Sequence, residues 1–157
     1  MIPEFLEALA LPVCRLERCG KKPPLPARQT EDAAGVDLAA FLPEGELVIP
    51  AGGRALVPTG LTMAVPRGWG GFVLARSSMG VKYGVNLSNG VGLIDPDYRG
   101  EVKVALINHS DAAFTVRDGD RIAQLVLLPA PCISLVEQAA LEETARGTGG
   151  FGSTGRR

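Results

Sequence analysis

Cysteine, histidine and aromatic side chains are scarce in this chain of 157 residues, and neither sign of charge is in excess. Three cysteines, Cys14, Cys19 and Cys132, are an odd number and lack zinc-ribbon spacing, which excludes a disulfide framework or a structural zinc site. They read as reduced thiols of a cytoplasmic protein. The single histidine, His109, sits in the polar stretch Asn108-His109-Ser110-Asp111 and receives no role. With 16 Lys and Arg against 17 Asp and Glu the formal charge is −1, without the basic excess of a general nucleic-acid binder. A local anion site stays open, because a phosphate responds to the nearby field rather than to the sum. No apolar run reaches the ~18 residues a membrane helix needs; the most apolar stretch, 122–136, is interrupted by Gln124, Pro129 and Pro131. Glu4 and Glu7, with no early Lys or Arg, are contrary to the basic start of a signal peptide. Neither a Walker phosphate loop nor a dinucleotide fingerprint occurs. The expectation is a cytoplasmic protein with neither nucleic-acid nor membrane partners.

What the chain has in quantity is glycine and proline, 20 and 12 residues, about a fifth of the total. Spread throughout, they break any long helix. A hydrophobic fraction of 46% still suffices for a full core in one domain. Between the breaks lie short β-type runs at 11–16, 36–40, 46–49, 54–57, 61–65 and 71–75. Further runs follow at 102–107, 114–116, 122–128 and 133–136. Many short strands separated by turn signals predict an all-β sandwich or barrel. Only 4–10 and a short turn at 77–82 tolerate a helix. The runs Val104-Ala105-Leu106-Ile107 and Leu125-Val126-Leu127-Leu128 are apolar on both faces, which fits either an oligomer or a fully buried central strand.

Several segments carry polar groups suited to chemistry. Ala75-Arg76-Ser77-Ser78-Met79-Gly80 follows an apolar strand and opens the helical turn. Ser77 or Ser78 can cap that turn, and free N–H groups, two hydroxyls and a guanidinium together form an anion cradle. A serine cap beside a solvated arginine accounts for the same residues. In Gly92-Leu93-Ile94-Asp95-Pro96-Asp97-Tyr98-Arg99-Gly100, Asp then Pro are the residues a type I turn prefers. Such a turn puts the Asp95 carboxylate and the Tyr98 ring in one small region, and Pro96 restricts where Asp95 points. A carboxylate so held can take a proton from water; two solvated acids on a surface turn is the competing account. Val85-Asn86-Leu87-Ser88-Asn89-Gly90-Val91 reads as a hairpin around Asn89-Gly90. Asp37 stands alone in an apolar strand and needs a cation or hydrogen-bond donors. Arg121 or Gln124, in the turn and strand from Gly119, could reach a polar site. The tail from Arg146 to Gly155 is mostly glycine, serine and threonine around Phe151. It is expected to be mobile without ligand, because glycine loses the most entropy on ordering.

In order and spacing, 34–38, 76–80, 92–100, 119–126 and 146–155 resemble the five motifs of the trimeric dUTP pyrophosphatase (dUTPase) family, a likeness running from about residue 11 to 155. The resemblance implies an all-β, β-clip, jelly-roll-like domain with one short helix, assembled as a homotrimer with shared active sites. Its parts would be an extension at 1–10, the β-barrel domain at 11–140 and a flexible glycine-rich arm at 141–157. Each site would take motifs one, two and four from one subunit, the third from a second and the arm from the third. Asp95 would be the general base for water attacking the α-phosphorus of dUTP, giving dUMP and pyrophosphate, which limits uracil in DNA and supplies dUMP for dTMP synthesis. Tyr98 would pack on the deoxyribose and exclude a 2′-hydroxyl. Asn89, Gly92, Leu93 and Ile94 would read uracil, with Lys103 nearby. Arg76, Ser77, Ser78 and Gly80 would hold phosphate oxygens, with Gln124 near the α-phosphate. Phe151 would stack on the base, while Arg146, Gly152, Ser153 and Thr154 would cover the outer phosphates. Mg²⁺ would ride on the triphosphate, with Asp37 acting on it through water. Val36 departs from the family pattern, where an aromatic is frequent.

Three other readings compete with plain dUTP hydrolysis. One is the related dCTP deaminase, including its bifunctional form; the Gly/Phe arm and the Asp95–Tyr98 block favour the plain dUTPase. A second is a regulator that switches a partner on dUTP binding without needing turnover; an intact Asp95 and Arg146 argue against purely non-catalytic use but not against a second role. A bare structural trimer has no use for the arm.

Overall fold

Alternation of inward and outward side chains sorts this sequence into two layers. The computed structural model describes residues 9–150, and in them runs β1 (Val13–Arg15), β2 (Val36–Ala39), β3 (Glu46–Ile49), β4 (Arg54–Met63), β5 (Trp69–Leu74), α1 (Ser77–Tyr83), β6 (Val85–Leu87), β7 (Gly92–Ile94), β8 (Val102–Asn108), β9 (Phe114–Arg117) and β10 (Arg121–Pro129). One four-stranded sheet has the order β1-β4-β8-β6, the other β2-β10-β5-β7, and β3 pairs with β9 apart from both. All the ladders are antiparallel. On β8, Val102, Val104 and Leu106 point inward while Lys103, Ala105 and Ile107 point outward. They meet Leu38, Val73, Ile122 and Leu125 of the second sheet in a single core cluster. Each such side chain, fully buried, contributes about 1.5–3 kcal/mol by removal from water. The all-β sandwich with one short helix is the fold expected from the spacing of the turns.

Three expectations are corrected. The runs at 54–57 and 61–65 are one strand, β4, with a register shift between Pro58 and Leu61. Gly60 adopts φ 68° there, and a Cβ at that position would overlap the Phe41 ring. Pro58 is tolerated because β1 pairs only with Leu61, Thr62 and Met63, leaving β4 an edge at Pro58. The Asn89-Gly90 turn forms, with Gly90 at φ 73°, but it joins no hairpin ladder: β6 pairs with β8 and β7 pairs with β5. The turn therefore hands the chain from one sheet to the other. Residues 133–136 are not a strand; Ile133, Leu135 and Val136 are 78%, 91% and 76% exposed. Pro129 and Pro131 end β10, and no neighbouring strand offers this stretch a ladder among the described residues. The helix expected at 4–10 falls largely outside the described residues.

Asn108 closes β8 as a fully buried amide. Its Nδ2 donates to the carbonyls of Ile49 (3.1 Å), Pro50 (3.3 Å) and Ala112 (2.7 Å), and its Oδ1 accepts from the N–H and hydroxyl of Ser110 at 3.0 and 2.7 Å. Buried polar groups left without partners cost about 1–3 kcal/mol each. Asn108→Ala is therefore expected to lose about 3 kcal/mol in urea denaturation with an unchanged slope; a loss below about 0.5 kcal/mol would show that water replaces the amide.

Candidate active site

The carboxylate of Asp37 organises the first cleft. In β2, Asp37 lies opposite Gln124 of β10, and Gln124 in turn lies opposite Leu74 of β5. Beyond Leu74 the chain leaves the sheet and Arg76 turns back, its Nε 3.5 Å from Asp37 Oδ1, while Arg121 Nη1 donates to Oδ2 at 3.0 Å. Arg121 Nη1 also donates to Gln29 Oε1 at 2.6 Å, and Arg76 Nη1 to the Arg121 carbonyl at 2.7 Å. Gln124 Nε2 donates to the Ala75 carbonyl at 3.1 Å. The Asp37 side chain is only 14% exposed, so its charge needs both guanidiniums. Gly35 is tightly packed: a Cβ would stand 3.0 Å from the Leu125 carbonyl and from Val126 Cγ2. Arg76 itself is the N-cap of α1 in extended conformation, with no side-chain cap bond. The expected serine cap is thus corrected: Ser77 and Ser78 are inside the helix, and Ser77, Ser78, Arg76, Asp37 and Gln124 line a cleft of about 520 Å³. Gly80 lies further along α1, its carbonyl accepting the Gly84 N–H, and does not line that cleft.

A second cleft of about 210 Å³ is lined by Asn89, Gly92, Leu93, Ile94, Asp95, Tyr98 and Lys103, with Val73, Glu101 and Val102. Every one of the first seven was singled out from the sequence. Gly92 sits against Val73, where a Cβ would be 3.1 Å from the valine Cβ. The turn expected at Asp95 is present, closed by the Tyr98 N–H on the Asp95 carbonyl at 3.1 Å. Arg99 Nη1 braces it from below on the carbonyls of Pro96 (2.7 Å) and Tyr98 (2.8 Å). β7 is the edge of its sheet, with β5 on one side only, so the outer N–H and C=O groups of this strand have no ladder partner among the described residues, and Gly92, Leu93 and Ile94 line the cleft.

The two clefts share no lining residue. Arg146 stands apart from both, in a local turn where its Nε donates to the Gly149 carbonyl at 2.8 Å. Phe151, Gly152, Ser153 and Thr154 lie outside the described residues. Sequence reasoning passed over Gln29 and Glu101 and left Arg121 unassigned. Arg121 carried only the Gly119-Asp120 turn as a signal; the register shift of β10 between Arg121 and Ala123, which turns both Arg121 and Gln124 toward one cleft, is visible only in the structure, and Gln29, in an aperiodic loop, carried no signal. Glu101 raises the Arg18 pKa above its ordinary value, first through a side-chain hydrogen bond. The Cys19 thiol is likewise pushed up, first by its hydrogen bond to Glu44. No group of three or more His, Cys, Asp or Glu is gathered as a metal cage among the described residues. A cation carried by a polyphosphate and reached from Asp37 through water fits this donor set, because both carboxylate oxygens already hold guanidiniums.

The fold and site define a small all-β sandwich with a cation-walled cleft on one sheet and a backbone-edged cleft beside an aspartate turn. Residues 21–155 match the dUTPase family. The deoxyuridine 5′-triphosphate nucleotidohydrolase of Desulfitobacterium hafniense (strain Y51) is 52% identical over 139 residues, covering 88% of this chain and 91% of that protein. The dUTPase of Staphylococcus bacteriophage 80alpha, solved with dUpNHpp, superposes with a TM-score of 0.82 at 23% identity, over 94% of this chain and 99% of that one. That of phage phi11 of S. aureus, whose structure details a structural Mg(II) ion, gives 0.75 at 20% identity, over 86% and 100%. This chain belongs to the dUTPase family.

The ion pairs predict how the first cleft meets anions. Arg76→Ala is expected to weaken binding of inorganic pyrophosphate about tenfold, since a charge-assisted hydrogen bond is lost. Calorimetry at two salt concentrations checks this; unchanged affinity at both would show that Arg76 serves Asp37 alone.

Proposed function

We propose that this chain hydrolyses dUTP to dUMP and pyrophosphate, as a homotrimer with sites shared between subunits. The observation that carries the reading is the sorting of ligand-type residues into two clefts of different chemistry. One is cationic and suits phosphate; the other offers a free strand edge and a ring, and suits a nucleoside.

In the second cleft the edge of β7 presents donors and acceptors in fixed order to the uracil edge. Cytosine, with donor and acceptor exchanged, would leave buried groups unpaired at about 1–3 kcal/mol each. Thymine would need room for its methyl group against the same backbone. Tyr98 walls the sugar and leaves no space for a 2′-hydroxyl. In the first cleft Arg76, Ser77 and Ser78 take phosphate oxygens, with Gln124 near the α-phosphate. A bound Mg²⁺ would supply charge neutralisation on the triphosphate, with Asp37 holding its water. Asp95 accepts a proton from water; the oxygen then attacks the α-phosphorus and the pyrophosphate leaves with the bridging oxygen. Arg146, Gly152, Ser153 and Thr154 cover the outer phosphates and Phe151 stacks on the base, excluding bulk water. The separation of the two clefts and the outward face of the first sheet support assembly between copies, and the number three is what the family resemblance implies. On that outward face Leu56 is 57% exposed and lies opposite Ala105, with Ile107 further along.

Asp95→Asn should abolish turnover while dUTP binding stays within about tenfold, because the amide keeps the shape and loses the base. Equal loss of both would make Asp95 a structural residue. Deleting residues 146–157 should leave a folded trimer of low activity; dissociation in sedimentation analysis would instead assign the arm to assembly.

A further inference from the structure

Glu101 is not used by any step above, yet it is the most heavily engaged acid on the second cleft. Its side chain is 10% exposed; Oε2 pairs with Arg18 Nη2 at 2.6 Å and Oε1 accepts the Gly60 N–H at 2.8 Å. Both partners are themselves fixed. Arg18 lies 5.6 Å over the Phe41 ring, and Gly60 is the left-handed residue of the β4 bulge. One residue on, the buried Thr59 hydroxyl donates to the Val102 carbonyl at 2.6 Å. Residues 101 and 102 are thus clamped to the bulge by a carboxylate with two partners and by a buried hydroxyl.

The clamped residue holds Tyr98. The Tyr98 hydroxyl donates to the Glu101 carbonyl at 2.9 Å. The ring folds back over Gly100, where a Cβ would meet the hydroxyl at 2.5 Å and Cζ at 2.7 Å. Without a fixed carbonyl to receive it, a ring that is 45% exposed would have several rotamers open to it.

We infer that Glu101 is a positioning residue: its carboxylate, anchored on the Gly60 N–H of the β4 bulge and on Arg18, holds its own carbonyl where that carbonyl accepts the Tyr98 hydroxyl, and so sets the Tyr98 ring and through it the discrimination between deoxyribose and ribose. The inference rests on the reading of Tyr98 as the wall against the sugar. Glu101 touches no reacting atom in this account, so its effect belongs in selectivity rather than in the chemical step.

The test is steady-state kinetics with dUTP and with UTP for the wild type, Tyr98→Phe, Glu101→Gln, the double variant and Gly100→Ala. Tyr98→Phe removes only the phenol bond. Glu101→Gln keeps an acceptor for Gly60 but loses the pair with Arg18. Each should lower the dUTP-over-UTP ratio of kcat/KM about tenfold, and for Glu101→Gln the loss should come through KM, with kcat for dUTP within about threefold. The double variant should lose no more than either alone, since both act through one bond. Gly100→Ala should lower the ratio as well by displacing the ring while the Glu101 pair stays intact. A Glu101→Gln protein of reduced Tm and wild-type ratio would overturn the inference, as would additive losses. If Glu101→Gln does not fold, wild-type ratios in both Tyr98→Phe and Gly100→Ala would overturn it. A wild type that cleaves dUTP and UTP alike removes the reading of Tyr98 itself, and is seen before any variant is compared.

Discussion

The register of β10 between β2 and β5 is the constraint on which the rest depends. Asp37, Gln124 and Leu74 stand in one row because β10 pairs with β2 on one side and β5 on the other. The same register that turns this row toward the cleft sets the next residue, Leu125, opposite Val73 and into the core. A slip of one residue would bury Gln124 and expose Leu125, so core and cleft cannot be separated. Burial of the Asp37 carboxylate adds a second condition. Removing either arginine leaves a charge that is mostly out of water and half-paired, which costs more than the pair contributes. Cleft geometry is thus held by packing and by electrostatics at once.

The second cleft depends on a different device. β6 and β7 belong to different sheets, and the Asn89-Gly90 turn between them leaves β7 as an edge with its outer backbone unladdered. Natural sheets usually hide such an edge; here the Asp95 turn and Tyr98 rise beside it and bound it. The strand-edge cleft and the arginine-walled cleft are therefore built on separate parts of one chain. That is the arrangement expected of a site completed between copies, and the exposed Ile133, Leu135 and Val136 beyond β10 are apolar side chains that a single copy leaves in water.

Much of this was legible in the residues themselves. Glycine and proline spacing located eight of the ten strands, β1–β5 and β8–β10, because turns in a small β protein are made by local chemistry. The Asp-Pro pair predicted the turn at 95–98, and Asn89, Gly92, Leu93, Ile94, Asp95, Tyr98 and Lys103 line one cleft. Failures came where tertiary context decides. The single long β4 could not be read through Pro58 and Gly60, since an unpaired edge at that point is a property of the sheet rather than of the run. The apolar run at 133–136 resembled a strand but has no partner strand among the described residues. Asn89-Gly90 signals a turn and not what its flanks pair with. The pairing of Asp37 with Arg76 and Arg121, and of Glu101 with Arg18, joins residues 39, 84 and 83 positions apart, and no periodicity reaches that far.

The account's central claim is tested most directly by pyrophosphate release from dUTP beside dCTP, dTTP and UTP, with Mg²⁺ present and then chelated. The account predicts fast release from dUTP alone, lost on chelation. Binding of dUTP without release, or ammonia formed from dCTP, would contradict it.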